Sequence, residues 1–249
     1  MTAVNAWLVF PAVLTLISLG LGLLLDALAG RSLPRVVVLP IGFAAFIVLG
    51  QYATAWHATA LLTMPVSVLL AIVGAALGWQ RLRDSWSHFL APSVAAVAVY
   101  AAYLLPVAMS GAPTFAGWIK LDDGATWLAF ADRMVEAGRT LAGLAPSTYE
   151  ALLKINLVDG NPAGSAGYPV GAFVPMGGVA RLVGVDAAWT LQPYMAFMAG
   201  LLALMAYELL RKHVASAWLR VVAAVVSSSS ALLYGYALWG GIKELALAP

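Results

Sequence analysis

The sequence contains no cysteine, and this absence excludes disulfide bonds, thiolate metal sites and cysteine nucleophiles. Charge is scarce as well, because only 10% of the 249 residues are Asp, Glu, Lys or Arg, whereas a water-soluble domain carries about 25%. The net charge of +2 is too small to indicate a nucleic-acid partner. A chain that is 63% hydrophobic, with a mean hydropathy of +0.91, needs lipid as the solvent for much of its surface.

Six apolar runs approach the roughly 20 residues that cross a bilayer as a helix. They are Trp7–Leu25, Val36–Tyr52, Ala58–Trp79, Phe89–Met109, Ala187–Leu210 and Trp218–Trp239. The sequence therefore predicts an all-α membrane protein, a polytopic bundle of transmembrane helices. We expect four spans in residues 1–109, a long polar loop in 110–186, and two further spans in 187–249. The apolar ending Leu245–Pro249 leads us to expect a further C-terminal part in a longer protein.

Lys and Arg cluster in alternate short connections, after the first, third and fifth spans. These cations are Arg31, Arg35, Arg81, Arg83, Arg211, Lys212 and Arg220. Residues 1–6 and 53–57, on the opposite side, contain neither Lys nor Arg. By the positive-inside rule, the N-terminus and the long loop are extracytoplasmic. The predicted location is therefore the plasma or inner cell membrane, crossed several times.

The long loop contains two patterns of amphipathic helix. In Gly124–Gly138 an apolar stripe alternates with a polar one, with the periodicity of a helix lying at the membrane surface. The apolar stripe is Trp127, Ala131, Met134 and Val135, and the polar stripe is Asp132, Arg133, Glu136 and Arg139. A second short helix is expected from Pro146 to Leu157.

The leading candidate for chemistry is the segment from Lys120 to Trp127, which opens the first of these helices with the pair Asp122 and Asp123. A carboxylate near an apolar boundary has a raised proton affinity and can serve as a general base. Two adjacent carboxylates could also hold a divalent cation beside a phosphate. The alternative is a structural role, in which one Asp caps the helix N-terminus.

Two further candidates lie on the same predicted side. Tyr168, before Pro169 in a turn-rich segment, offers an aromatic platform that would suit a sugar ring. Lys243, with Glu244 beside it, could bind a phosphate as a point charge at the outer end of the last span. The structural alternatives are an interfacial tyrosine anchor and a solvated helix flank.

Between about Leu90 and Glu244, this order of features resembles the GT-C superfamily, the polytopic glycosyltransferases that use lipid-linked sugars. In that superfamily a long outer loop opens with an acidic catalytic base and continues through surface helices, as Asp122, Asp123, Gly124–Gly138 and Tyr168 do here. One departure is that three spans precede the matching helix and loop, whereas the usual loop follows the first span.

The resemblance implies inverting transfer of a sugar from a polyprenyl-phosphate donor to a glycan or lipid acceptor of the cell envelope. Asp122 or Asp123 would be the base, and Lys120, Tyr168, Lys243 and Glu244 would bind substrate. No cofactor is certain, and a divalent cation would bind at the Asp pair if anywhere. Two other classes stay open: a secondary transporter, and a non-catalytic membrane assembly subunit.

Overall fold

A computed structural model describes residues 2–83, 86–112, 114, 122–159 and 168–249, and every regular element within them is helical. At a few positions, Asp122 and Asp123 among them, it describes the helical backbone without the side chain. In chain order the helices are α1 (Thr2–Leu28), α2 (Arg35–Ala53), α3 (Thr63–Arg83), α4 (Trp86–Ser110), α5 (Asp122–Ala137), α6 (Thr148–Lys154), α7 (Val174–Leu182), α8 (Ala187–Leu209), α9 (Ala217–Ser228), α10 (Ala231–Trp239) and α11 (Ile242–Ala246). Shorter helical turns lie at Asn5–Val9 within α1, and at Arg35–Val37, His57–Ala60, Ile155–Asp159, Gly171–Phe173 and Leu210–Lys212.

Five helices, α1, α2, α3, α4 and α8, are long and apolar enough to cross a membrane. These correspond to the first five predicted spans and confirm that the protein is a helical membrane protein. Their outward faces carry large apolar side chains, such as Leu16, Ile72 and Val97, each more than 60% exposed. Such side chains are stable on a surface that contacts hydrocarbon.

The sixth predicted span, Trp218–Trp239, corresponds to two helices joined at a bend and not to one continuous helix. Helices α9 and α10 meet at a bend of 55°, at the consecutive serines Ser229 and Ser230. Serine side chains bond to nearby backbone and so compete with the helical ladder, which favours a break. Here the Ser230 hydroxyl accepts from the Leu233 N–H at 3.5 Å and begins α10, while the Tyr103 hydroxyl donates to the Ser228 carbonyl at 2.6 Å.

Helices α1, α2 and α3 form a tightly packed group. At Gly20 of α1 and Gly74 of α3, a Cβ atom would collide with the backbone of the opposite helix. Small residues at such contacts let membrane helices approach closely, which increases van der Waals attraction. Phe10 and Phe43 then join this group to α8 through edge-on contacts with the Tyr194 ring, at 6.3 and 5.9 Å between centroids.

A buried ion pair fixes one end of the same group. Asp26, near the end of α1, pairs with Arg81 near the end of α3, and its carboxylate also accepts from the Leu33 N–H at 3.1 Å. Arg81 donates in turn to the Leu33 carbonyl at 2.6 Å. Leu33, in the α1–α2 connection, is therefore held to both α1 and α3.

The apolar stripe of α5 is buried, since Trp127, Ala131, Met134 and Val135 are each at most 7% exposed. On its polar stripe, Arg181 of α7 pairs with both Asp132 and Glu136. Arg139 departs from the predicted stripe, because Gly138, with φ of +65°, ends the helix before it. Its guanidinium nitrogens are buried and have no hydrogen-bond partner among the described residues, and burial lowers the pKa of Arg139.

Candidate functional site

Four aromatic rings lie close together at the end of the helix bundle where α5 and α11 lie. Trp127 and Phe130 come from one face of α5, Tyr168 from the segment before the Gly171–Phe173 turn, and Phe173 from the turn itself. Trp127 stacks on Phe173, with centroids 4.8 Å apart and planes 14° from parallel. Tyr168 lies 5.5 Å from Trp127 and 5.3 Å from Phe130, between ring centroids. We call these four rings the aromatic cluster.

The Lys243 ammonium lies on this cluster. Its Nζ is 4.5 Å from the centroid of the Trp127 ring and 4.8 Å from that of Tyr168, and it donates a hydrogen bond to the Tyr168 hydroxyl. Ring faces attract a cation through their quadrupole, by about 0.5–2 kcal/mol each. Within the described part of the chain, no carboxylate forms an ion pair with Lys243. The geometry therefore holds a fixed positive charge that an anion could neutralise.

The segment that carries Tyr168 is held to two membrane helices. The Gly171 N–H donates to Oε1 of Gln51 in α2 at 2.8 Å, and the Tyr194 hydroxyl of α8 donates to the Ala172 carbonyl at 2.6 Å. A Cβ at position 171 would lie 2.6 Å from the Ile47 carbonyl oxygen, so only glycine fits this close approach. These contacts fix the ring of Tyr168 relative to the bundle.

A sharp turn brings Lys243 to the cluster. Gly240 has φ of +93°, a left-handed conformation that glycine adopts without steric cost, and it ends α10. The chain then reverses into α11, where Ile242 and Leu245 are fully buried. Because these two apolar residues occupy the inner face of α11, Lys243 and Glu244 are left at its half-buried and exposed positions.

An apolar groove of about 420 Å³ has Lys243 in its wall. It runs between the end of α2 and the end of α11, and its walls are Ile47, Val48, Gln51, Tyr52, Pro169, Gly171, Ala172, Lys243, Ala246 and Leu247. A cation thus lines a groove whose walls are otherwise mostly hydrocarbon. This combination suits a ligand with an anionic head and an apolar chain.

The predicted site residues fall into two groups. Tyr168 and Lys243, which are 75 positions apart, are in contact, and Glu244 lies exposed beside Lys243. Asp122 and Asp123 open α5, and Asp123 precedes Trp127 by one helical turn, about 6 Å along the axis. The side chains of both Asp residues, and the whole of Lys120, lie outside the described residues.

Sequence reasoning included Trp127 in the buried stripe of α5 and in the candidate segment Lys120–Trp127, but it did not predict the contact of its ring with Lys243. It also gave no reason to place Phe130 and Phe173 beside Tyr168. The spacing of Trp127 and Phe130, three residues apart on one helix, was the available signal, since residues at that spacing share a face. As for the possible metal site, the described side chains contain no group of three or more His, Asp or Glu that could hold an ion.

A polar cleft of about 400 Å³ lies on the other side of α5. Tyr149 of α6 lines it together with Asp132 and Arg181, and the Tyr149 hydroxyl donates to the Asp132 carboxylate at 3.4 Å. Burial, with a smaller effect of the negative charge of Asp132, raises the pKa of Tyr149 to about 12. The phenol is therefore neutral at physiological pH and can act as a hydrogen-bond donor.

No family model, curated protein or solved structure matches this chain.

Proposed function

We propose that this protein is a membrane glycosyltransferase that moves a sugar from a polyprenyl-phosphate donor to an extracytoplasmic acceptor, with inversion. Asp122 or Asp123 is the general base, and Lys243 binds the donor phosphate. The single observation that carries the proposal is the position of Lys243, a cation without a carboxylate partner in the described chain, on the aromatic cluster and in the wall of an apolar groove.

Each part of the donor has a counterpart in this arrangement. The apolar groove beside α2 accepts the first units of the prenyl chain, since its walls are mostly hydrocarbon. Lys243 faces the phosphate as a point charge. Tyr168, which is half-buried, offers a ring on which a sugar can pack, and its hydroxyl can hydrogen-bond to that sugar.

The reaction then needs one base and one electrostatic stabiliser. The carboxylate of Asp122 or Asp123 takes the proton of an acceptor hydroxyl as that oxygen bonds to the anomeric carbon. The bond from this carbon to the phosphate oxygen breaks, and polyprenyl phosphate leaves with the electron pair. Lys243 stabilises the charge that develops on the leaving group. Attack opposite the leaving group inverts the anomeric centre.

Replacing Lys243 with Met tests the donor site. A charge-assisted hydrogen bond contributes about 1.5–3 kcal/mol, so we expect kcat/KM for the polyprenyl-phosphate sugar to fall by about 10- to 100-fold. Lys154→Met is the matched control, because Lys154 is an exposed lysine on α6 away from the aromatic cluster. Equal activity of the two variants would contradict the assignment of Lys243.

The proposal also requires that the Asp pair and Lys243 lie on the extracytoplasmic side. Because the chain has no cysteine, single cysteines can be introduced without background. We expect a membrane-impermeant thiol reagent added to intact cells to label Ser165→Cys and to spare Ser85→Cys until the membrane is opened. The opposite labelling pattern would place the proposed site on the cytoplasmic side, against the prediction from the distribution of Lys and Arg.

One observation favours a secondary transporter, the bend of 55° between α9 and α10. Transporters place broken helices at substrate sites together with ionisable residues. Here the break carries Ser228, Ser229 and Ser230, and the Tyr103 hydroxyl satisfies the Ser228 carbonyl. Substrate uptake into proteoliposomes that is unaffected by Asp122→Asn and Asp123→Asn would favour transport over sugar transfer.

A further inference from the structure

A second apolar groove lies between α1, α2, α4 and α8. Two adjoining cavities of about 320 and 490 Å³ form it, and they share Thr15, Leu39, Ser93 and Leu204 as walls. One end is at Trp7 and Tyr100, where the Tyr100 hydroxyl donates to the Trp7 carbonyl at 2.8 Å and bridges α4 to α1. The other end is at Arg35.

The dimensions of this groove match a single lipid chain. From Trp7 to Leu19 the α1 wall runs for about 18 Å along the helix axis. One leaflet of a bilayer has a hydrocarbon depth of about 15 Å. The walls are mostly apolar, and the Thr15 hydroxyl donates to the Pro11 carbonyl at 2.7 Å. An acyl chain with the depth of one leaflet that enters at Arg35 therefore occupies the part of the groove from Arg35 to Thr15 and Ser93.

Arg35 supplies charge at the mouth of the groove. Its side chain is exposed and makes no hydrogen bond or ion pair within the described part of the chain. Two neighbouring arginines on the same side are engaged otherwise, since Arg81 pairs with Asp26 and Arg31 donates to the Leu77 carbonyl at 3.4 Å. The distribution of Lys and Arg predicts that this end faces the cytoplasmic leaflet, which carries anionic lipids.

We infer that this groove binds one anionic phospholipid of the leaflet on the Arg35 side, with its phosphate at the Arg35 guanidinium and an acyl chain along α1, α4 and α8. The site is separate from the Lys243 groove and does not depend on the proposed enzymatic function. A zwitterionic lipid would bring its own cation to Arg35, so the geometry favours a headgroup with net negative charge.

Native mass spectrometry of the purified protein, titrated with phosphatidylglycerol or phosphatidylcholine, tests the site. We expect tighter binding of phosphatidylglycerol, and a loss of about five-fold in its affinity in Arg35→Gln, as for one arginine near an anionic headgroup. Arg31→Gln is the matched control and should bind as the unaltered protein does. Equal affinity for both lipids, or equal losses in the two arginine variants, would overturn the inference.

The position of the acyl chain has its own test. Ser93 is exposed and lines both cavities, so Ser93→Phe should fill the groove and abolish phosphatidylglycerol binding while Arg35 is intact. Val94→Phe, at the next residue of α4 and outside the groove lining, should leave binding unchanged. Unchanged binding in Ser93→Phe would overturn the inference, as would Arg35-dependent binding of polyprenyl phosphate that exceeds that of phosphatidylglycerol.

Discussion

Asp122→Asn or Asp123→Asn, whichever removes the base, is expected to lower the rate of sugar transfer by about 10²–10⁴-fold, the usual contribution of general-base catalysis. Asn has nearly the same shape as Asp but cannot accept the proton. It also caps helices about as well as Asp, so α5 should begin at the same place and the protein should remain folded. The measurement is kcat with a polyprenyl-phosphate sugar, alongside the midpoint of thermal unfolding.

The same two variants separate catalysis from capping. If the Asp pair only caps α5, both Asn variants keep nearly full activity, and the enzyme proposal fails at this site. Glu136→Gln provides the matched control, because Glu136 is an exposed acid of the same helix and should lose no more than a few-fold in rate. A large loss in Glu136→Gln would show that general disturbance of α5, and not a missing base, lowers the activity.

The second large effect is on stability. Asp26→Asn leaves the Arg81 guanidinium without its carboxylate in a site where the two side chains are 2% and 16% exposed. Removing one partner of a buried ion pair costs about 3–5 kcal/mol, since the remaining charge stays desolvated and unpaired. We expect a reduction of that size in the free energy of unfolding, measured by denaturant titration in detergent micelles.

Two controls define the cause of this effect. Arg181→Gln breaks the ion pairs of Arg181 with Asp132 and Glu136, but these side chains are 40–58% exposed, so the expected cost is below about 1 kcal/mol. The double variant Asp26→Leu, Arg81→Met replaces the buried pair by apolar side chains and should recover most of the lost stability. A double variant as unstable as Asp26→Asn would mean that the hydrogen bonds to Leu33, and not the charges, hold this corner together.

The spans were predictable because a bilayer imposes one requirement, an apolar run of about 20 residues, which shows directly in composition. The bend between α9 and α10 could not be predicted from the sequence. Serines occur both in packed helices and at helix breaks, and only their hydrogen bonds distinguish the two cases. Helix α11 was also not predicted from the sequence. The sequence placed Lys243 at a span end, whereas the left-handed Gly240 reverses the chain and brings it inward.

For the candidate site, residue types were predictable and contacts were not. Tyr168 and Lys243 were chosen for their chemistry, one as a ring platform and the other as a phosphate ligand. Nothing in their spacing indicated that they touch, because a contact across 75 residues depends on how several helices pack. Trp127 shows the complementary case, in which helical periodicity predicted burial but could not identify the cation above the ring.

The rings of the aromatic cluster come from α5 and from the segment that begins at Tyr168, and the cation on them, Lys243, comes from α11. Ribosomes add these parts in that order, more than a hundred residues apart from first to last, and domains fold as they are made. The rings can therefore gather before the ammonium reaches them. A nascent chain carries no cation at this position until translation has passed Lys243 and α11 has docked, so binding that requires this charge begins only on chains completed to that point.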